Sequence, residues 1–438
     1  MQKFKIITLG CKVNQAESAG IARQLQDRDA EAAVGEDPVD LCIINTCTVT
    51  GKASMQSRQA VRQALRAHPN ARIVVTGCYA QTAPMEIRAI PGVDLILGND
   101  GKHRIAELAC CRPADHTPLP GEMPAGRNEC WIPAATRTDR ARPFLKIQDG
   151  CDARCSYCIV PYARGASRSL PLEDVLNSLR RFGDTGYPEV VLTGIHLGHY
   201  GLDLVPPADL LTLLRKIRQQ RIVHRLRLSS IEPLELTADL VRFAAGANSG
   251  SGAICPHFHV PLQSGDNDIL KRMCRPYSRQ LFRDRLTHIT RHLPDASIGV
   301  DVLVGFPGET DTAFENTCSL LEQLPVTYLH VFPFSRRKGT PAYRLPDPVP
   351  DAVLKARCRL VRSIGYKKKL AYYHRFHGKL LEVVAESVVD PRNGLIKGTS
   401  ANYIPVIFKG RAEQIRTIVT VRVERVDPPG SVHGTVVS

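Results

Sequence analysis

Residues 143 to 158 read PFLKIQDGCDARCSYC: an apolar, β-like run that ends in glycine and passes directly into three cysteines, Cys151, Cys155 and Cys158, at C-x3-C-x2-C spacing. Thiolates select iron–sulfur clusters or zinc, and a structural zinc closes with four ligands, often as paired C-x2-C units. Here the third cysteine has no local fourth companion, and the two-cluster ferredoxin spacing C-x2-C-x2-C-x3-C-P is absent. Three thiolates on a four-iron cluster leave one iron open to a reactant, so the spacing points to chemistry.

Toward the carboxyl end the chain alternates similar runs with helix-length segments: EVVLTGIHLG (189–198), RLRLSSIEP (225–233), HFHVPLQSG (257–265), SIGVDVLVGF (297–306) and YLHVFPFS (328–335). With PFLKIQDG (143–150) these make six strands, which predicts a partial or complete β/α barrel. The cysteine triplet follows the first strand, at the carboxyl-end face where such barrels carry out their chemistry. Toward the amino end the same texture returns. KFKIITLG precedes a helix from about Gln15, DLCIINTC one from about Ala53, ARIVVTGC one near Ala83, and DLILGN closes a parallel α/β pattern. Cys11, Cys47 and Cys78 each stand past a different strand, where open α/β sheets bind ligands, so these three sulfurs can converge as a second trio.

From about Cys110 to Arg142 the pattern breaks into Pro, Gly and charged residues around Trp131, which reads as a linker. Beyond Lys379, KLLEVVAESVVD, LIKGTSANYIPVIF, EQIRTIVTVRVERV and SVHGTVVS are short β-branched runs, a pattern that predicts a small all-β barrel. The expected organisation is therefore α/β. An amino-terminal parallel α/β cluster domain (1–113) leads through a linker (114–136) to a β/α partial barrel (137–370) and a terminal all-β barrel (371–438).

The 438 residues carry 58 Lys and Arg against 43 Asp and Glu, a net charge of +15, which favours a polyanionic partner such as nucleic acid; a basic surface kept for solubility is the alternative. Between Asp351 and Glu382 there is no acidic residue, while nine Lys or Arg occur. Fourteen cysteines in so large a chain, opening Met-Gln-Lys-Phe-Lys-Ile-Ile without a signal-peptide pattern, point to a reducing cytoplasm. No apolar stretch approaches the roughly 18 to 20 residues that span a bilayer, so no membrane association is expected.

The triplet resembles the signature of the radical S-adenosylmethionine enzymes. That resemblance implies a [4Fe-4S] cluster on Cys151, Cys155 and Cys158, whose free iron binds the amino and carboxylate groups of S-adenosyl-L-methionine, with Tyr157 near the adenine. It further implies cosubstrate contacts from Gly194 in TGIHLG, Ser229 and Ser230, Gln263, and Gly305 with Glu309 in GFPGE. Each also has a structural reading: Gly194 or Gly305 as relief of a tight turn, Ser229 as a cap.

With TLGCKVNQAES, NTCTVT and TGCYAQ the resemblance narrows to the methylthiotransferases and covers nearly the whole chain. It implies a second [4Fe-4S] cluster, on Cys11, Cys47 and Cys78, that carries sulfur, and a terminal barrel of the TRAM kind. One cosubstrate methylates that sulfur; a second generates the radical that removes hydrogen from the target carbon. Within the family, GCDARCSYCIVPYARG, CPHFHVPLQSG, DVLVGFPGET and HVFPFSRRKGTPAY look most like the branch that installs a 2-methylthio group on N6-threonylcarbamoyladenosine at tRNA position 37. The implied partners are the tRNA anticodon loop, an electron donor such as a flavodoxin or ferredoxin, and a sulfur donor of unknown identity. Lys367, Lys368, Lys369, Arg375 and Lys379 are the candidate phosphate contacts. The alternatives are methylthiolation of isopentenyladenosine in tRNA or of a ribosomal protein side chain, and a non-catalytic RNA-binding module that holds zinc or a cluster.

The remaining candidates read mainly as structural. Cys42, Cys255, Cys274, Cys318 and Cys358 are expected to be small buried hydrophobes, and Cys110, Cys111 and Cys130 to have no role. His257, His259 and His330 read as satisfied core histidines that could face the site, and Arg336, Arg337 and Lys338 as an exposed turn that could meet phosphate.

Overall fold

Strands β1 (Lys3–Thr8), β2 (Glu31–Ala32), β3 (Leu41–Thr46), β4 (Arg72–Gly77) and β5 (Leu95–Leu97) form a parallel sheet in the order β2-β1-β3-β4-β5. They belong to a computed structural model that describes residues 2–110, 140–247, 250–386 and 393–437. The linker with Trp131, Cys111 and Cys130 lies outside the described residues, as does the side chain of Cys110.

The sheet forms because its central strands are apolar on both sides, and alternation sends successive side chains to opposite layers. Leu41 and Ile43 pack with Phe4, Val74 and with Ile21 and Leu25 of α1 (Lys12–Gln26). Cys42 and Ile44 pack with Ile73, Val75 and with Val61 and Ala64 of α2 (Gly51–Ala67). Both helices start earlier than the apolar periodicity predicts. The first begins directly after Cys11, which is its N-cap, and the second is capped by Thr50, whose side chain accepts from the Ala53 N–H at 3.1 Å.

The chain divides into two compact units. The first joins this sheet to Lys146–Pro171 and Ser335–Tyr343; the second comprises Arg137–Leu145, Leu172–Phe334 and Arg344–Ser438. Strand β6 (Phe144–Lys146) straddles their boundary, and in the first unit β7 (Gln148–Asp149) pairs antiparallel with β8 (Arg168–Ser169) on either side of the cysteine loop.

In the second unit, β9 (Glu189–Thr193), β10 (Arg225–Leu228) and β11 (Ala253–Ile254) continue the sheet from β6, and β12 (His257–His259), β13 (Ser297–Val304) and β14 (Tyr328–Pro333) form another. A parallel bridge between Ser230 and His259 joins the two sheets, giving the expected partial barrel. Strands β15 (Leu380–Ala385), β16 (Leu395–Ser400), β17 (Pro405–Lys409), β18 (Ile418–Asp427) and β19 (Ser431–Val436) close the terminal barrel in the order β15-β16-β17-β19-β18. Its core holds Val383, Ile396, Val406, Phe408, Val421 and Val432. The helix Asp351–His374 runs unbroken across the position 370/371 at which the sequence divides the two barrels.

Among the scattered cysteines, Cys42, Cys255 and Cys358 are buried and Cys318 is half-buried. Cys274 corrects the expectation: it is exposed, with φ of 56°, just past the end of the helix Asn267–Arg272. Chain reversal at a helix terminus, usually a task for glycine, places it there.

Candidate cluster and cosubstrate sites

The amino-terminal trio is assembled by three neighbouring strands in register. Thr8 lies opposite Asn45, Asn45 opposite Thr76, and Thr46 opposite Gly77, so the turns carrying Cys11, Cys47 and Cys78 leave one edge of the sheet together. Two glycines make the close approach possible. Gly10 has φ of 95°, and a Cβ there would lie 2.8 Å from the Cys47 sulfur; Gly77 has φ of 97°, and a Cβ there would lie 2.5 Å from the Thr46 carbonyl oxygen. The buried Asn14 amide donates to the Leu9 carbonyl at 2.8 Å and the Thr46 carbonyl at 3.0 Å, tying two of the turns to each other. Burial pushes the Cys47 thiol up to about 11.

Among the described residues, the groups of three whose ligand atoms all lie within 4.8 Å of one another are His196, His199 and Glu235, and His259, Asp301 and His330. Neither cysteine trio is that tight. Thiolates about 2.3 Å from one tetrahedral zinc would sit about 3.8 Å apart. The wider spread suits the separate iron corners of a cube.

The second trio leaves β7 at Asp149 and runs through Cys151, Cys155 and Cys158 into α3 (Val160–Arg164), with the Cys151 N–H donating to the Gly165 carbonyl at 3.1 Å. Tyr157 is half-buried in this loop. The Arg164 guanidinium donates to Asn14 Oδ1 at 2.5 Å, to Glu17 Oε1 at 3.0 Å and to Asp149 Oδ1 at 2.8 Å. Lys146 pairs with Glu17 at 2.7 Å and with Asp149 at 2.6 Å, and Lys102 with Glu17 at 2.5 Å. Against the penalty of burial, Asp149, Cys78, Glu17 and Cys11 together hold Arg164 well above the ordinary guanidinium value. Asn99 donates to the Ala163 carbonyl at 2.6 Å with its amide nitrogen 3.8 Å from the Cys78 sulfur. Arg337 donates to Thr48 Oγ1 at 2.5 Å and Ser54 Oγ at 2.9 Å, just beyond Cys47, while the Ala342 N–H donates to the Ser156 carbonyl at 2.7 Å. Of the two readings of this turn, Arg337 takes neither: it is an internal tie.

Apart from Tyr157, which lies in the first unit, the cosubstrate candidates fall in the second unit. Gly194 follows β9, and Ser229 follows β10 with its N–H donating to the Leu192 carbonyl at 3.0 Å. The Ser229 hydroxyl is buried without a hydrogen-bond partner, an orphaned donor of the kind a bound polar ligand satisfies. Ser230 is exposed, and Gln263 holds φ of 64° while its backbone bridges to β13. Gly305 and Glu309 have structural partners: a Cβ on Gly305 would lie 2.4 Å from Leu354, and Glu309 accepts from the Gly305 N–H at 3.1 Å and from Arg357 at 2.7 Å. His257 and His259 bond the Tyr328 hydroxyl at 2.8 and 3.1 Å as buried histidines do, but His330 is exposed.

The basic run divides by partner. Lys368 donates to the carbonyls of Glu322 at 2.7 Å and Leu324 at 2.6 Å, Arg375 pairs with Asp295 at 3.0 Å, and the Lys369 amine lies 5.4 Å from the Tyr373 ring centre. Lys367 is exposed, and Lys379 is exposed with its amine 5.2 Å from the Phe376 ring centre. The residues that sequence reasoning passes over are Asn14, Glu17, Asn99, Lys102, Lys146, Asp149 and Arg164. Asn14, Glu17, Lys146, Asp149 and Arg164 stand near a trio cysteine along the chain, whereas Asn99 and Lys102 carry no such signal.

Comparison with known proteins places this geometry. Residues 3–98 match the Uncharacterized protein family UPF0004 and residues 145–321 the Radical SAM superfamily. The Threonylcarbamoyladenosine tRNA methylthiotransferase MtaB of Bacillus subtilis is 37% identical over 428 residues, covering 96% of this chain and 94% of its own. That of Aquifex aeolicus is 35% identical, covering 94% and 98%. A tRNA-2-methylthio-N(6)-dimethylallyladenosine synthase of Pelotomaculum thermopropionicum is 32% identical, covering 97% and 95%. The fold resembles that of the radical S-adenosylmethionine methyltransferase TsrM from Kitasatospora setae, with a TM-score of 0.56 and 17% identity over 78% of this chain and 77% of that one. Identity of this extent along nearly the full length settles the family: the chain belongs to the radical S-adenosylmethionine methylthiotransferases.

Proposed function

We propose that this protein is the tRNA methylthiotransferase that adds a 2-methylthio group to C2 of N6-threonylcarbamoyladenosine at position 37. What supports the reading is the likeness along nearly the full length to threonylcarbamoyladenosine tRNA methylthiotransferases, together with two sets of three cysteines in one compact unit. Cys151, Cys155 and Cys158 would hold one [4Fe-4S] cluster and Cys11, Cys47 and Cys78 the other. Bound clusters and S-adenosylmethionine supply what no acid or base of the chain can, a radical able to open an unactivated C–H bond and a methylated sulfur to take the place of the hydrogen. The protein's own part is to orient. Tyr157 would lie near the adenine of the cosubstrate, and the terminal barrel with Lys367 and Lys379 would draw in the anticodon stem and loop.

A flavodoxin- or ferredoxin-class reductant and a cytoplasmic location complete the reading. No helix among the described residues is long and apolar enough to cross a membrane. Mass spectrometry of tRNA nucleosides from a deletion strain tests it: threonylcarbamoyladenosine is expected to persist without its methylthio group. Loss of the group from isopentenyladenosine instead would favour the second reading, to which the 32% identity with the dimethylallyladenosine synthase lends weight.

A further inference from the structure

Glu17, Lys102, Lys146, Asp149 and Arg164 are all buried, and they contact one another within the first unit. They come from α1 behind Cys11, from the strands leading into Cys151 and from the helix behind Cys158, with Lys102 reaching in after β5. Three cations face two carboxylates, so the fully ionised set carries one positive charge in surplus. A buried charge without an answering partner is strongly unfavourable. Outside the set, the thiols of Cys78 and Cys11 act on Arg164, and Arg164 in turn acts on Cys47. Arg164 reaches their turns through Asn14, and the neighbouring Ala163 carbonyl receives the Asn99 amide that lies against the Cys78 sulfur.

We propose that this surplus charge is the built-in counter-charge of the cluster held by Cys11, Cys47 and Cys78, and that Arg164 is the positioning residue that brings it there. The inference rests on those cysteines holding a cluster. Reduction adds negative charge to a cluster, and local net charge is one of the quantities that set its potential. A fixed positive charge beside it therefore favours the reduced form and raises the midpoint.

The test uses the full chain with Cys151, Cys155 and Cys158 changed to Ala, reconstituted anaerobically so that a single cluster remains, with the midpoint read by EPR-monitored redox titration. Glu17→Gln raises the surplus by one and is expected to raise the midpoint; Lys102→Met removes it and is expected to lower the midpoint. Each shift should be at least tenfold in the reduction equilibrium, about 59 mV for one electron. Arg164→Lys keeps the charge but loses the fork that grips Asn14 and Glu17, so it should hold the midpoint while retaining less iron. Shifts of the same sign, no shift, or loss of the cluster from both Glu17→Gln and Lys102→Met would overturn the proposal in favour of a purely structural network. If the triple cysteine variant retains no iron before any further change, the ligand assignment has failed, and the two failures are distinguishable.

Discussion

At the scale of single residues, the amino-terminal trio depends on two positions that lack a side chain. Gly10 and Gly77 combine left-handed backbone with contacts that leave no room for a methyl group: the Cys47 sulfur at 2.8 Å in one case, the Thr46 carbonyl oxygen at 2.5 Å in the other. The two substitutions should differ in what they damage. Gly77→Ala meets backbone that cannot move aside and is expected to destabilise the first unit by more than about 1 kcal/mol in chemical denaturation. Gly10→Ala meets the sulfur of a proposed ligand, so its larger effect should be on iron. The variant is expected to keep roughly half or less of the iron of the amino-terminal cluster after reconstitution, while a full complement would show that the Cys47 turn can yield. Neither glycine differs in the sequence from one that merely ends a strand; only the register of β1, β3 and β4 reveals what each one faces.

At the scale of elements, the long helix Asp351–His374 separates roles that its charge pattern runs together. Lys368 donates to two carbonyls at the end of a neighbouring helix, and its partial burial pushes its amine down. Lys367 is exposed, as is Lys379 beyond the helix end, where its amine also lies 5.2 Å from the Phe376 ring centre. Changing Lys367 and Lys379 together to Gln should flatten the slope of log K against log salt for tRNA binding by about 2, since each phosphate contact contributes about 1. Lys368→Gln should leave that slope in place and cost about 1 kcal/mol of stability instead. The same division explains what was legible beforehand. β3, β4 and β13 are readable because a strand buried on both sides is a continuous apolar run, and the terminal barrel because β-branched stretches recur between turn residues. Helix starts at Lys12 and Gly51 were less so, because cysteine and threonine caps override the apolar period. Lys102, Lys146 and Arg164 were invisible as site residues, since long cations are the side chains least often fully buried and nothing local marks the exceptions.

At the scale of the whole molecule, one buried carboxylate organises the arginines that join the terminal barrel to the radical barrel. Glu189 on β9 accepts from Arg225 at 2.8 Å and from Arg227 at 2.6 Å, and lies 3.4 Å from Arg142. Arg227 in turn donates to the Ser400 and Ala401 carbonyls at 3.0 and 3.1 Å, at the end of β16. Burial alone would push the Glu189 carboxyl up, but Arg227, Arg225 and Arg142 outweigh it and hold it below the usual carboxylate range. A carboxyl depressed in the folded state stabilises the fold fully above its unfolded value, near 4.3, and the contribution is lost as pH falls from there toward the folded value. Glu189→Gln takes the one buried anion from three guanidinium groups, leaving Arg142 with Glu386 and Arg227 with the two carbonyls, and should cost about 3 kcal/mol at pH 7, within the range for breaking a buried pair. Hydrogen exchange of the β9, β10 and β16 amides would read this as lost protection. Because the wild-type carboxylate itself is neutralised in acid, the gap between the two proteins should narrow progressively below pH of about 4.3. A gap that stays constant from pH 7 into that range would mean that the loss does not come from the charge of the Glu189 carboxylate.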